Sequence, residues 1–253
     1  IAAGVDSREG RIESATLKLE RAREIDPRSA STLVALQQNY ILQRRYTEAR
    51  DVGQAAIARV PGDINIVQWQ AMGYLGQGDL KGAREVIRAA IDRGNPAPAV
   101  AAFFGGYQEV SWALEEPERQ LLFRLTPAAF DNDRAWWGQT MAIAYWQQGN
   151  LVAARAYADS ALPATAVQVA ASPRDGQTHG LHALMLAYTG KKAEAIAEAK
   201  QAVELATPGG EGNVHYTMLL LIRTYLATGE PELAMDQIEA LLPRPYVVTR
   251  AWL

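Results

Sequence analysis

"GYLGQGDLKGAREVIRAAI", residues 73–91, decides the fold. Within it Tyr74 precedes Ala83 by nine residues, Gly78 precedes Ala83 by five, and Ala90 follows by seven. The same offsets recur outward in both directions. Ala15, Ala49 and Ala83 stand 34 residues apart, each followed seven residues later by Ala22, Ala56 and Ala90. A fixed period of this size means stacked units. Pro27 and Pro61 come twelve residues after the first alanine of their units and Pro96 thirteen after Ala83, and each proline ends a helix. Tyr40, Tyr145 and Tyr225 repeat the nine-residue offset of Tyr74 before Ala49, Ala154 and Ala234. Gly10, Gly149, Gly190 and Gly229 repeat the position of Gly78, where a helix must end in a left-handed turn before the next begins. Each unit is therefore helix, turn, helix.

This pattern resembles the tetratricopeptide repeat of bacterial-type arrays, with its aromatic, Leu-Gly, Tyr, Ala, large apolar, Ala and Pro signature. The matching stretches are "NYILQRRYTEARDVGQAAIARVP" (39–61), residues 73–91, "AYWQQGNLVAARAYADSAL" (144–162), "LAYTGKKAEAIAEAKQAVEL" (186–205) and "TYLATGEPELAMDQIEALL" (224–242). The resemblance covers nearly the whole chain. It implies an all-α, right-handed α-solenoid of about seven antiparallel helix-turn-helix repeats. Small alanines let the two helices of a unit approach closely, and the tyrosine ring fills the gap between units.

The register divides the chain into a partial repeat at 1–29, repeats at 30–63 and 64–97, a degenerate one at 98–134, repeats at 135–175, 176–214 and 215–247, and a partial one at 248–253, all in one superhelix. The degenerate unit follows from the 71 residues between Ala83 and Ala154, two periods plus three. Ala154 to Ala195 is 41 residues and Ala195 to Ala234 is 39, so the later units have longer helices or longer connections, with the extra residues expected in "PATAVQVAASPRDGQ" (163–177) and "ATPGGEGN" (206–213), both carrying turn signals. The ends look cut within a unit: residues 1–8 alone remain for the first helix, and "RPYVVTRAWL" (244–253) reads as the start of an eighth unit. Terminal repeats normally carry polar caps. Either the natural chain continues, or its ends dock on something. The tail also looks like the last repeat region of large bacterial signalling proteins that carry a kinase, cyclase or DNA-binding domain ahead of the repeats.

Composition narrows the function. The 253 residues, 49% hydrophobic, can bury a large core. With 25 Lys and Arg against 28 Asp and Glu, the chain lacks the basic excess that a nucleic-acid backbone demands. Cysteine is absent, which removes disulfides, thiolate metal sites and thiol nucleophiles and suits a cytoplasmic or an envelope compartment. No apolar run reaches the length of a membrane span.

Chemistry-bearing motifs are weak. His179 and His182, at i and i+3, share a helix face and could serve a metal, but no third ligand accompanies them, so packing roles are expected. His215 opens the first helix of the last unit. The glycines of "TPGGEGN" lack the Lys and Ser/Thr of a phosphate loop, and the pair in "FFGGYQEV" (103–110) is read as close helix contact or a kink. "LEEPE" (114–118) fits a helix start, with Pro117 in the first turn and acids at the positive end of the dipole. No GxSxG elbow exists. A non-enzymatic chain without catalytic residues, cofactor or metal is expected.

The resemblance instead implies a concave groove lined by the first helices, holding a peptide or helix of another protein. With about 100° per residue and Tyr145 as the core direction, Gly138, Met141 and Ala142 form the packed stripe. Trp137 lies on one flank, where the neighbouring repeat presses. Trp146, at about 100°, Ile143, at about 160°, and Trp136, at about 180°, face away. Carried to the other units, the same phase adds Trp69, Met72, Gln139, Tyr188, Tyr216 and Arg223 to the groove, with Ile41, Leu75, Ala187 and Leu226 as counterparts of Trp146. Val34, Gln68 and Met72 stand where repeat proteins that clamp acidic chaperone tails carry Lys, Arg and Asn, so such a tail is not the expected ligand. Apolar anchors with flanking amides suit an amphipathic helix or apolar peptide. The same aromatic rings would equally fill the middle of a tightly wound superhelix. A regulatory segment of a larger signalling protein and an accessory subunit of a membrane-associated complex are the alternative settings.

Overall fold

The computed structural model describes residues 2–8, 10–107, 109–206 and 214–251. Among them there are fourteen α-helices and no strand. The turn "TPGGEGN", residues 207–213, lies outside the described residues. The chain divides into two compact units, residues 1–119 with 244–253, and residues 120–243.

The first unit holds α1 (Ala2–Arg8), α2 (Ile12–Ile25), α3 (Ala30–Leu42), α4 (Tyr46–Arg59), α5 (Ile64–Gly76), α6 (Leu80–Asp92) and α7 (Ala97–Gly106). Consecutive helices pair because their alanines vanish into the contact: Ala15, Ala49, Ala56, Ala83 and Ala90 are all buried. Gly10 and Gly78 turn the chain between partners at φ +75° and +79°. Between α3 and α4 the same register position is Arg44, at φ +61°, so a residue with a Cβ takes the left-handed turn there. Asp6 ties α1 to α2. It accepts hydrogen bonds from Lys18, from Ser14 at 2.6 Å and from Arg11 at 2.5 Å, and these donors, Lys18 foremost, hold its carboxyl well below the usual carboxylate range.

Helix starts are set by side-chain caps. Ser29, Asp63 and Asp79 accept from the backbone N–H of Thr32, Asn65 and Gly82 in the first unit. Asp133, Asn150 and Asp175 do the same in the second.

The degenerate repeat breaks up into short pieces. α7 ends at Gly105 and Gly106 without continuing through a kink, because two residues without Cβ leave its last turn weak. A 3-10 turn at Ser111–Ala113, α8 (Glu116–Leu122) and a second 3-10 turn at Pro127–Phe130 complete it. Glu116 and Glu118 flank Pro117 in the first turn of α8.

The second unit holds α9 (Arg134–Gln147), α10 (Leu151–Ala171), α11 (Gly176–Tyr188), α12 (Lys192–Leu205), α13 (Val214–Ala227) and α14 (Pro231–Leu241). Gly149, Gly190 and Gly229 make its left-handed turns. Gly138 lets α9 and α10 close up, since a Cβ there would stand 2.8 Å from the Cβ of Ala161. The extra residues expected within 163–177 prolong the helix: α10 runs through Pro163 to Ala171. Proline forfeits one helical hydrogen bond. The fully buried stripe Ala154, Ala158, Ala161 and Thr165, spaced four, three and four, carries the helix past it.

The tail also departs from expectation. Residues 244–251 open no eighth helix but form an irregular segment belonging to the first unit. Pro243 and Pro245 disfavour helical backbone before them, and the run Val247, Val248, Thr249 is β-branched.

Candidate functional site

In the second unit the first helices α9, α11 and α13 share one buried cluster. Ile143 of α9, Tyr188 of α11 and Tyr216 of α13 lie in it with Ala142, Leu184, Met185 and Leu220. Ile143, whose helical phase points it away from the tyrosine stripe, is therefore covered. The helix wheel accounts for the second helix of the same unit, but successive first helices also pack on one another, so two sides of each are enclosed.

Trp146 shows this directly. Its ring is half-buried and stacked on Tyr188, with centroids 4.7 Å apart and planes at 22°. Burial pushes the Tyr188 phenol upward, with the positive charge of Arg223 opposing. Arg223, on α13, is half-buried, and Gln139 is buried on α9.

Trp136 stands at the other end of α9, half-buried, with its ring edge-to-face on Phe130 at 5.0 Å and 86°. Asp133 fixes this end by accepting from the N–H groups of Ala135 and Trp136. Trp137, between them in role, joins a ladder of rings: Phe123 stacks on Tyr145, Tyr145 on Tyr157, and Tyr157 meets Trp137 edge-to-face at 5.3 Å. Its indole N–H donates to the Leu125 carbonyl at 3.0 Å, tying α9 to the segment before it.

Trp69 and Met72 sit on α5 in the first unit, half-buried and buried respectively. The structure thus groups Ile143, Trp146, Tyr188 and Tyr216, sets Trp136 at the far end of the same helix, and assigns Trp69 and Met72 to the other unit. The counterparts of Trp146 follow a rule. Ile41, Leu75 and Ala187 are buried, each on a first helix that another follows, whereas Leu226 on α13 is 52% exposed. In the first unit, a Cβ on Gly73 of α5 would meet Ile41 Cδ1 at 3.7 Å.

The histidines have packing partners. His179, buried, faces Glu198 through Nδ1 at 2.7 Å and the Pro173 carbonyl through Nε2 at 3.1 Å. His182 Nδ1 meets Thr165 Oγ1 at 2.7 Å, and burial lowers its basicity. Among the described residues no three His, Asp or Glu side chains are grouped to hold a metal ion. Nor, among them, is any helix long and apolar enough to cross a membrane.

A family model described as "Tetratricopeptide repeat" matches residues 140–160, the turn from α9 to α10. Solved repeat proteins match most of the chain in fold. A tetratricopeptide repeat protein from Parabacteroides merdae matches with a TM-score of 0.50 and 17% identity, over 97% of this chain and 91% of that one. The chain has the tetratricopeptide-repeat fold. A structure of the anaphase-promoting-complex hetero-tetramer Cut9-Hcn1 matches with a TM-score of 0.53 and 16% identity, over 95% of this chain and 45% of that one. No curated protein matches it in sequence. Tetratricopeptide arrays generally serve protein–protein contact and are typically non-catalytic.

Proposed function

We propose that this tetratricopeptide array is a non-enzymatic scaffold that binds another protein, taking an amphipathic helix or apolar peptide on the first-helix face of the second unit. Trp136 and Trp146 are the anchors. Gln139 and Arg223 flank them with polar groups, and Ile143, Tyr188 and Tyr216 form the floor. Trp69 and Met72 take the corresponding role on α5 of the first unit.

The observation that carries this reading is that two large indole rings on α9, those of Trp136 and Trp146, are only half-buried on a helix face whose neighbours Ile143, Tyr188 and Tyr216 are buried. Rigid amphipathic rings left partly open are favourable interface anchors. The exposed side chain of Leu226 at the open edge of α13 extends the apolar surface.

Selection of displayed amphipathic-helix peptides on the purified chain tests it. The selected peptides are expected to bind Trp136→Ala at least tenfold more weakly, with the far-UV spectrum and unfolding midpoint unchanged. Undiminished binding to a folded Trp136→Ala, Trp146→Phe double variant would overturn the site.

A further inference from the structure

After α14 the chain returns to the first unit, and four consecutive side chains of the tail disappear there. Tyr246, Val247, Val248 and Thr249 are each less than a tenth exposed, while Arg244 and Pro245 before them and Arg250 and Ala251 after them are exposed. The backbone bends through residues 244–247 and does not run as a strand, so the four consecutive side chains turn into the protein together and share one trough.

The trough reads the tail with specific polar groups. Thr249 Oγ1 donates to the Gly76 carbonyl at 2.8 Å. Gly76 ends α5, where carbonyls have no partner in the next turn of helix. Tyr246 donates its hydroxyl to Glu109 Oε1 at 3.0 Å, and that carboxylate is itself buried. Ala251 then passes Gly78, where a Cβ would stand 3.3 Å from its own. A helix-end carbonyl and a buried carboxylate thus accept from two hydroxyls three residues apart, with two β-branched aliphatics enclosed between them.

We infer that the first unit carries an acceptor site for a peptide of the pattern Tyr, aliphatic, aliphatic, Thr, and that residues 246–249 fill it as a self-ligand. The site is separate from the tryptophan face of the second unit. A segment of another protein with the same pattern gains access by displacing the tail, so the tail sets the threshold for binding. Two features favour displacement over a permanent lock. The buried plug is only four residues long, and exposed residues flank it on both sides.

The test uses the full chain and a fluorescent peptide with the sequence of residues 244–253. Tyr246→Ala with Thr249→Val weakens the tail and leaves the acceptor intact, so this variant is expected to bind the peptide at least tenfold more tightly than the wild type does. Adding Glu109→Leu is expected to cancel most of that gain, and a peptide lacking the tyrosine is expected to bind neither. Equal binding to wild type and tail variant, or no binding to a folded tail variant, overturns the inference. Should the tail variant fail to fold, the wild type decides: millimolar peptide is expected to speed hydrogen exchange at the amides of residues 247–249 at least fivefold, and unchanged exchange overturns it.

Discussion

Trp146 and Leu226 hold the same place in the repeat, one residue after the register tyrosine, yet Trp146 stacks on Tyr188 whereas Leu226 is 52% exposed. The difference lies in the next first helix along the array. For α9 that helix is α11, which covers Trp146, while α13 is the last of the first helices among the described residues. Burial on this face is a property of the junction and not of the side chain's phase on its own helix.

Four measurements put that dependence on the junction at risk. The largest effect is expected from Trp146→Ala, which removes a half-buried ring from the interior junction and costs about 2–3 kcal/mol of unfolding free energy in denaturant titration. Gly138→Ala comes next. Helix propensity favours alanine by about 1 kcal/mol, but the new Cβ stands 2.8 Å from Ala161 on a helix that cannot yield locally, so a net loss of about 1–2 kcal/mol is expected. A stability gain in this variant would show that α9 and α10 separate easily.

The third effect is pH dependence at the α10–α11 junction. Burial lowers His182 below its ordinary value of 6.5, so the unfolded chain takes up the proton first. The contribution of this group is fully present above about pH 6.5 and is lost as pH falls below it. Thermal unfolding monitored from pH 8 to pH 5 is expected to show a steeper decline in the wild type than in His182→Gln. The smallest effect is Leu226→Ser at the open edge, within about 0.5 kcal/mol of wild type. A loss as large as that of Trp146→Ala would mean that α13 is covered after all.

The repeat itself is readable because it rests on residues with narrow tolerances. Alanines at fixed offsets mark helix contacts that admit no larger side chain, and glycines five residues earlier mark backbone that other residues enter at a cost. Arg44 is not readable, since the left-handed turn there is held by the helices on either side and leaves no glycine to find. Pro163 misleads in the opposite sense: a local helix breaker is outweighed by a buried stripe whose partners lie on other helices. The proposed groove residues of α9 are legible as one surface of that helix, but their burial depends on neighbours distant in sequence, as with Trp146 and Tyr188, 42 residues apart. The tail departs from the helix expected of it although its own signal is present, since two prolines and three β-branched residues in "PRPYVVT" (243–249) argue against helical backbone.

The docked tail also gives the molecule a temporal order. Repeat arrays fold through local contacts, but the bonds from Tyr246 to Glu109 and from Thr249 to Gly76 join residues 137 and 173 positions apart. Between residue 119 and residue 244 the ribosome must add 125 residues, which takes on the order of ten seconds. Throughout that interval the nascent first unit presents an empty trough with the Gly76 carbonyl open to any passing chain, until residues 246–249 emerge.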